Sequence, residues 1–294
     1  MRYGVAGLVL LGSVSVASAI NIDGFTTDEN DRFANDSSFV ADQFDLSGVG
    51  INNNGHWLTM LSDEVFISAE HLKPATGSSV TFYESNDPDG ASSTRSVTSN
   101  TQQIGTSDLY VGTLDSPLSS GFTFYDFATE DITDLNPGPN DDFSNSPYYE
   151  ENAYVFGKSP TTTWDVSQDL AVGRNKLDRF WVGQDLTDQN ANEGDAIGAN
   201  DDTDTTDAVT FEAMLEGKDS GGPLFVDNEG VLTLVGINWF RDNENNDFFG
   251  STYLGNYDEE VQNFIDAVPE PQTYALFLGL ASALLLFVRR RRQA

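Results

Sequence analysis

A serine in a sharply turned segment is the most chemically suggestive feature of the chain. Residues 217–225 read Gly-Lys-Asp-Ser-Gly-Gly-Pro-Leu-Phe, so that Ser220 is followed by two glycines and a proline. Glycine adopts positive φ without steric cost, and proline stops a helix from continuing. The turn therefore exposes the hydroxyl and directs neighbouring N–H groups towards one point, which a serine nucleophile and its oxyanion require. A glycine-rich loop without chemistry is the alternative that the turn alone leaves open.

A serine is inert without a base, and the chain contains two histidines, His56 and His71. His71 stands where the largely apolar run 65–69 enters a short polar turn, and His56 opens the preceding apolar stretch. A carboxylate that orients the base has two candidates in similar surroundings, Asp108 in Ser-Asp-Leu-Tyr-Val and Asp169 in Gln-Asp-Leu-Ala-Val. These residue types together indicate nucleophilic catalysis by a Ser-His-Asp triad.

The sequence around these residues resembles the trypsin-like (chymotrypsin-fold) serine peptidases. The serine turn is similar to their Gly-Asp-Ser-Gly-Gly-Pro, and the stretch that ends in His71 is similar to their Thr-Ala-Ala-His. Because the chain order of this fold is His, Asp, Ser, the acid should lie between His71 and Ser220, as both candidates do. We choose Asp108, because its position leaves the histidine and the acid in one half and nearly a whole second barrel before the serine. Asp169 stands too close to the serine to leave room for the intervening strands, so we assign it a capping or surface role. His56 is assigned a structural role.

The resemblance implies a role for each matched residue. Ser220 Oγ attacks the scissile carbonyl, His71 takes the proton and returns it to the leaving amine, and Asp108 fixes the imidazole tautomer. The backbone N–H groups of Lys218 and Ser220 form the oxyanion hole. Lys218 departs from the family, which has glycine at this position, and we expect backbone strain there.

Further stretches extend the resemblance towards the substrate. Residues 234–240 are similar to the family strand that ends in Ser-Trp-Gly and pairs with the substrate backbone, which implies that Asn238, Trp239 and Phe240 bind substrate. Asn238 and Phe240 replace small residues, so we expect a narrowed channel. Counting six residues back from the serine puts Met214 near the base of the primary specificity pocket. With no carboxylate there, tryptic specificity is not expected.

The first 19 residues have the pattern of a secretory signal peptide. Arg2 precedes the apolar run 5–14, and Ala17-Ser18-Ala19 reads as a cleavage site. Cleavage after this triplet leaves Ile20 as the new N-terminus. In the family that the chain resembles, such an isoleucine folds inward and its ammonium pairs with the aspartate before the serine, here Asp219. Local hydrogen bonds that satisfy Asp219 are the alternative.

The other end, residues 268–294, is tripartite. Pro269-Glu270-Pro271 precedes the uncharged run 274–288, which we predict as a transmembrane helix, and four arginines follow at 289–292. This tail resembles the PEP-CTERM sorting signal of Gram-negative bacteria. The resemblance implies an anchor in the inner membrane, recognition by an exosortase, and export to the cell surface or the extracellular space after the tail is removed. A plain tail anchor is the alternative.

Acidic residues dominate the composition. With 14 basic and 47 acidic side chains, the formal net charge is −33, which excludes nucleic acids and anionic membrane surfaces as partners. Acidic loops at 86–90, 185–207 and 242–247 contain the oxygen ligands that calcium prefers, without a complete EF-hand. We therefore expect no metal or other cofactor for catalysis and consider structural calcium only. Segment 185–207 lacks apolar periodicity and is predicted to be a flexible insert.

The sequence as a whole predicts an all-β protein. Residues 20–267 are expected to form one trypsin-like peptidase domain, with two six-stranded antiparallel β-barrels and a C-terminal helix at 259–265. A signal helix precedes this domain and the transmembrane helix follows it. Without cysteines, stability depends on the hydrophobic core. The predicted activity is hydrolysis of peptides or proteins through an acyl-enzyme; the alternative is a surface-displayed binding or adhesion module with weak or no catalysis.

Overall fold

The computed structural model describes residues 19–132, 144–161, 165–186, 192–203, 205–206, 208–242 and 247–268. Most of the predicted signal peptide and the tail from residue 269 onwards, including the predicted transmembrane helix 274–288, lie outside these residues. In the part of the chain that is described, no helix is long and apolar enough to cross a membrane.

The chain begins with the short strand β1 (Asn21–Ile22) and helix α1 (Thr27–Asn30) and then forms a closed antiparallel barrel. The order around the barrel is β2-β3-β4-β7-β6-β5. Val80 and Phe82 alternate inward along β5, as expected for a strand with one buried face. The six strands are β2 (Val49–Asn52), β3 (Trp57–Met60), β4 (Val65–Ala69), β5 (Ser79–Tyr83), β6 (Ser92–Gln103) and β7 (Leu109–Leu114).

The second half of the chain forms a seven-stranded antiparallel sheet in the order β10-β11-β15-β14-β13-β8-β9. Its strands, together with β12, which pairs with β1, are β8 (Asn152–Gly157), β9 (Ala171–Lys176), β10 (Arg179–Asp185), β11 (Glu193–Asn200), β12 (Ala213–Met214), β13 (Pro223–Asn228), β14 (Val231–Arg241) and β15 (Phe248–Tyr253). Helix α2 (Asp258–Ala267) follows and buries Val261 and Phe264. The six-stranded first barrel and the C-terminal helix are confirmed, whereas the second half has seven strands and its described pairings do not close it into a barrel.

Strand β11 shows that the prediction of a flexible insert over 185–207 was wrong for residues 193–200. Its sequence, Glu-Gly-Asp-Ala-Ile-Gly-Ala-Asn, is rich in small residues and therefore gives only a weak hydrophobic pattern. The strand is nevertheless paired on both sides, with β10 and β15. Gly198 lies so close to β15 that a Cβ there would clash with the carbonyl oxygen of Phe249. The small residues are thus what lets the neighbouring strand approach.

The two halves share one hydrophobic cluster, to which Trp57 of the barrel and Phe156 of the sheet both belong. The N-terminal segment also connects them through Arg32. Its backbone N–H donates to Leu170 of the second half at 3.1 Å, and its buried guanidinium donates to the carbonyl oxygen of Tyr83 in the barrel at 3.0 Å. Desolvation by burial lowers the pKa of Arg32 to about 10. These contacts fix the relative position of the strand ends that carry the candidate site.

Candidate active site

Strands β4 and β7 bring a histidine beside a buried carboxylate. They pair antiparallel with Ala69 opposite Leu109, so that His71 and Asp108 leave the barrel at the same end. The His71 Nδ1 atom lies 2.6 Å from Asp108 Oδ2, and the His71 backbone N–H donates to Asp108 Oδ1 at 2.9 Å. Asp108 is fully buried, while 22% of the histidine side chain is exposed. Because Nδ1 is engaged by the carboxylate, Nε2 is the ring nitrogen that remains for proton transfer.

Ser220 lies in the turn between β12 and β13, and Gly221 behind it has a φ of 89°. Such a φ is open to glycine but costly for residues with a Cβ. A Cβ on Gly221 would also lie 3.1 Å from Ser68 Oγ, because the turn packs against the end of the strand that leads to His71. Ser220 and His71 line the same cleft, whose volume is about 640 Å³. The structure thus brings Ser220 and His71 to one cleft, with Asp108 buried beside the histidine.

Lys218 adopts a φ of 83°, in the left-handed region. This is the strain that the sequence indicated at the position where the resembled family has glycine. Among the described residues, no protein acceptor is hydrogen-bonded to the N–H group of Lys218 or of Ser220. Two unengaged N–H groups beside a nucleophile are what an oxyanion needs.

Replacing Lys218 by glycine should raise the free energy of unfolding by about 0.5–1 kcal/mol, because the cost of a Cβ at positive φ exceeds the added entropy of the unfolded chain. Lys218→Ala is the matched control, since it removes the exposed charge but keeps the Cβ. We expect that variant to stay within about 0.5 kcal/mol of the native chain. Denaturant titration measures both values. A glycine variant no more stable than the alanine variant would contradict the assignment of strain.

Asp219 is buried next to the serine and accepts two backbone hydrogen bonds. Its Oδ1 receives the N–H of Lys158 and its Oδ2 the N–H of Glu216, both at 2.8 Å. Burial raises the pKa of Asp219 to about 8, against the lowering effect of the two N–H groups and the Lys158 charge. The local hydrogen bonds that were the alternative to an ammonium partner are therefore present.

Ile20, the predicted partner of Asp219, is also buried and lies next to it. Its backbone N–H donates to the carbonyl oxygen of Lys158 at 3.0 Å. A Cβ on Gly157 would lie 2.6 Å from Ile20 Cβ and 2.8 Å from Asp219 Oδ1, so both residues flank the same point. The nitrogen that would become an ammonium after cleavage is thus already held on the backbone segment that binds Asp219.

Met214 does not reach the cleft. It is buried in β12, where it pairs with Asn21 of β1. The cleft is lined instead by Leu215 and Glu216, because the chain turns towards the serine later than a gapless count from the family pattern implies. Glu216 Oε2 forms a salt bridge of 3.1 Å with Arg241. Glu216, which stands close to Met214 in sequence, therefore has a cation from its own chain.

The three residues predicted to bind substrate separate into two groups. Trp239 and Phe240 line the cleft, and the Phe240 ring packs against Gly250 of the adjacent strand. Asn238, in contrast, is fully buried and does not line the cleft. Its side-chain Nδ2 donates to the carbonyl oxygen of Phe156 at 2.7 Å, and its backbone carbonyl oxygen accepts the N–H of Gly221 at 2.9 Å. Asn238 therefore supports the serine turn from behind instead of contacting substrate.

Asp169 and His56, which were not assigned to the triad, have separate roles. Asp169 Oδ1 accepts the N–H of Ser159 at 2.9 Å, and within the described residues neither histidine is hydrogen-bonded to it. Burial raises the pKa of Asp169, partly offset by the charge of Lys158. His56 is half-buried, and burial followed by the charge of Lys158 lowers its pKa. Both residues thus belong to the surroundings of Lys158.

One residue of the site carried no sequence signal. Asn192 precedes β11 in the acidic segment and donates its Nδ2–H to Asp108 Oδ1 at 2.8 Å. It is the third donor to this carboxylate, after the two of His71. Nothing in the sequence links Asn192 to Asp108, because only the tertiary fold brings them together.

The chemistry has to be inferred from this geometry. No protein-family model and no curated protein matches the chain. Across the described ranges, no group of three or more histidine, aspartate or glutamate side chains is arranged to hold a metal ion. The possible structural calcium stays a prediction.

Proposed function

We propose that this protein is an exported serine endopeptidase of the trypsin-like type, which hydrolyses peptide bonds through an acyl-enzyme. The observation that supports this most directly is the 2.6 Å contact between His71 Nδ1 and Asp108 Oδ2, at the edge of the cleft that Ser220 lines. In this proposal the barrel and the seven-stranded sheet correspond to the two β-barrels of that fold, and residues 20–267 form the peptidase domain.

In the proposed reaction, Ser220 Oγ attacks the carbonyl carbon of the scissile bond while His71 Nε2 accepts the hydroxyl proton. Asp108 stabilises the resulting imidazolium. The oxyanion receives hydrogen bonds from the N–H groups of Lys218 and Ser220. His71 then gives its proton to the leaving amine, the C–N bond breaks, and an acyl-serine remains. A water molecule, deprotonated by the same imidazole, hydrolyses this ester and restores the serine.

The lining of the cleft supports a substrate with apolar side chains. Trp181, Trp239 and Phe240 form one wall, with ring centroids 5.1 to 5.2 Å apart between neighbours. The cleft carboxylate of Glu216 is already paired with Arg241, which weakens its attraction for a basic substrate side chain. We therefore propose peptide or protein substrates without tryptic specificity.

The patterns at the two ends of the sequence support the proposal that the protein is exported. Residues 1–19 act as the signal peptide, and residues 268–294 act as the sorting tail that an exosortase removes. Before processing, the helix at 274–288 anchors the chain in the inner membrane; afterwards the protein reaches the cell surface or the extracellular space. The burial of Ile20 beside Asp219 supports a chain that begins at this residue.

A fluorophosphonate probe tests the proposed function, because it labels an activated serine without knowledge of the substrate. The native chain should be labelled, and both Ser220→Ala and His71→Ala should abolish labelling. Ser37→Ala, at an exposed serine remote in sequence from the site, should leave it unchanged. A folded native chain that resists the probe would favour the second candidate, a binding or adhesion module. The strained backbone at Lys218 is the observation that supports that candidate.

A further inference from the structure

We propose that Asn192 is a positioning residue of the active site, which holds the Asp108 carboxylate and thereby sets the orientation of His71. This inference rests on the proposed peptidase function and deepens it. It assigns a role in catalysis to the residue that precedes β11, in the second half of the molecule, whereas Asp108 and His71 belong to the barrel.

The contacts of Asp108 show what Asn192 adds. Oδ1 accepts the backbone N–H of His71 at 2.9 Å and the Nδ2–H of Asn192 at 2.8 Å, while Oδ2 faces His71 Nδ1. Both donors to Oδ1 are neutral, so they stabilise the buried anion without adding a charge to the site. Without Asn192, both remaining donors belong to His71 itself, and the carboxylate loses the donor that holds it independently of the histidine.

The orientation of the Asn192 amide is itself fixed by its neighbours. Gln103 Nε2 donates to Asn192 Oδ1 at 3.2 Å and to the carbonyl oxygen of Ser107 at 2.9 Å. Because Gln103 presents donors and Asp108 presents acceptors, only one of the two amide orientations of Asn192 satisfies both. The backbone carbonyl oxygen of Asn192 also accepts the N–H of Leu186 at 3.1 Å, which joins the residue after β10 to the residue before β11.

The start of β11 is seated against the barrel at the residue before Asp108. A Cβ on Gly194 would lie 3.3 Å from Ser107 Cβ and 2.9 Å from the hydroxyl of Tyr257. This hydroxyl accepts the N–H of Asp195 at 3.0 Å. Glycine at position 194 thus allows the strand to approach closely enough for Asn192 to reach the carboxylate. The side-chain amide of Asn192 thereby links the second half to the Asp108 carboxylate.

Two substitutions test the positioning role. Asn192→Ala should lower kcat about 10-fold and leave KM within about twofold, since a hydrogen bond to a charged group is lost without a substrate contact. Asn192→Asp, nearly the same shape, should lower kcat further and move the acidic limb of the pH–rate profile to higher pH, because a second carboxylate stabilises the imidazolium. The charged groups near His71 that stay unchanged in both variants are the paired Glu70 and Lys73 beside it and, in the cleft, the paired Glu216 and Arg241 together with Asp242. Asn100→Ala, at an exposed asparagine, is the control.

A readout independent of turnover separates this inference from the proposed function. The proton on His71 Nδ1 in its short hydrogen bond gives a far-downfield NMR signal, and with two histidines in the chain His56→Gln identifies it. We expect Asn192→Ala to shift or broaden this signal and Asn100→Ala to leave it in place. An unchanged signal together with unchanged kcat overturns the role of Asn192. A native chain without probe labelling, but with the signal altered by Asn192→Ala, overturns the peptidase and keeps the positioning contact.

Discussion

Asp108→Asn should lower kcat about 10⁴-fold, with KM nearly unchanged. In the native chain Asp108 Oδ2 lies 2.6 Å from His71 Nδ1. The amide of the asparagine presents to this nitrogen either its NH₂ group or its carbonyl oxygen, which is a weaker acceptor than a carboxylate. The imidazole then adopts the tautomer with its proton on Nε2. In that tautomer it cannot accept the proton of Ser220, although every side chain keeps its place. The loss therefore falls on the chemical step and not on substrate binding.

Asp169→Asn is the matched control for this experiment. Asp169 precedes a similar Leu-Ala-Val sequence, but its Oδ1 accepts the N–H of Ser159, a role that an asparagine oxygen keeps. Its kcat is expected to stay within about threefold of the native value. Rates of fluorophosphonate labelling and of peptide hydrolysis measure both variants. If Asp169→Asn destroyed activity and Asp108→Asn spared it, the assignment of the acid would be wrong.

The second large effect is a pH dependence of the free energy of unfolding, in a chain that still carries residues before Ile20. Burial raises the pKa of Asp219 to about 8, whereas the unfolded chain releases that proton near pH 4. Between these values the folded state binds more protons than the unfolded state. The free energy of unfolding must therefore fall as the pH rises from about 4 to 8, by up to about 1.4 kcal/mol per pH unit from this group.

A chain made to begin at Ile20 should lose most of this dependence. Its terminal ammonium lies on the segment that flanks Asp219, so the carboxylate can ionise beside a positive charge. A chain that begins at Ala19 is the matched control, because it differs by one residue and displaces the ammonium. Other carboxylates whose pKa is raised by burial, such as Asp178 and Glu212, affect both chains equally. Denaturant titrations from pH 5 to 8 with parallel slopes for the two chains would rule out the ion pair.

The local elements of the site could be predicted because their signals are local. The positive φ of Gly221 follows from the serine turn, and the apolar run before His71 forms β4 as its composition predicts. Register and the depth of a residue depend on neighbours that are distant in sequence. For that reason the count that assigned Met214 to the cleft was wrong, and Asn238 is turned inward although Trp239 and Phe240, which follow it, line the cleft.

The part of the site that sequence reasoning missed lies where hydrophobic patterning is weakest. β11 is built from small residues that fit between two strands, so its burial follows from close backbone approach and not from large apolar side chains. Asn192 stands just before this strand and differs in no local way from the many other asparagines of the chain. Its contact with Asp108 depends on how the two halves are assembled.

The contacts of Arg32 have a consequence for how the protein responds to heat. Its guanidinium is buried, and its contacts run to the barrel on one side and through its backbone to the second half on the other. Separating the two halves would break either the buried guanidinium contacts in the barrel or the backbone hydrogen bond to Leu170, so partial opening of the cleft is costly. Warming should therefore leave the cleft intact until the whole domain melts, and catalytic loss and structural collapse should coincide in one cooperative transition.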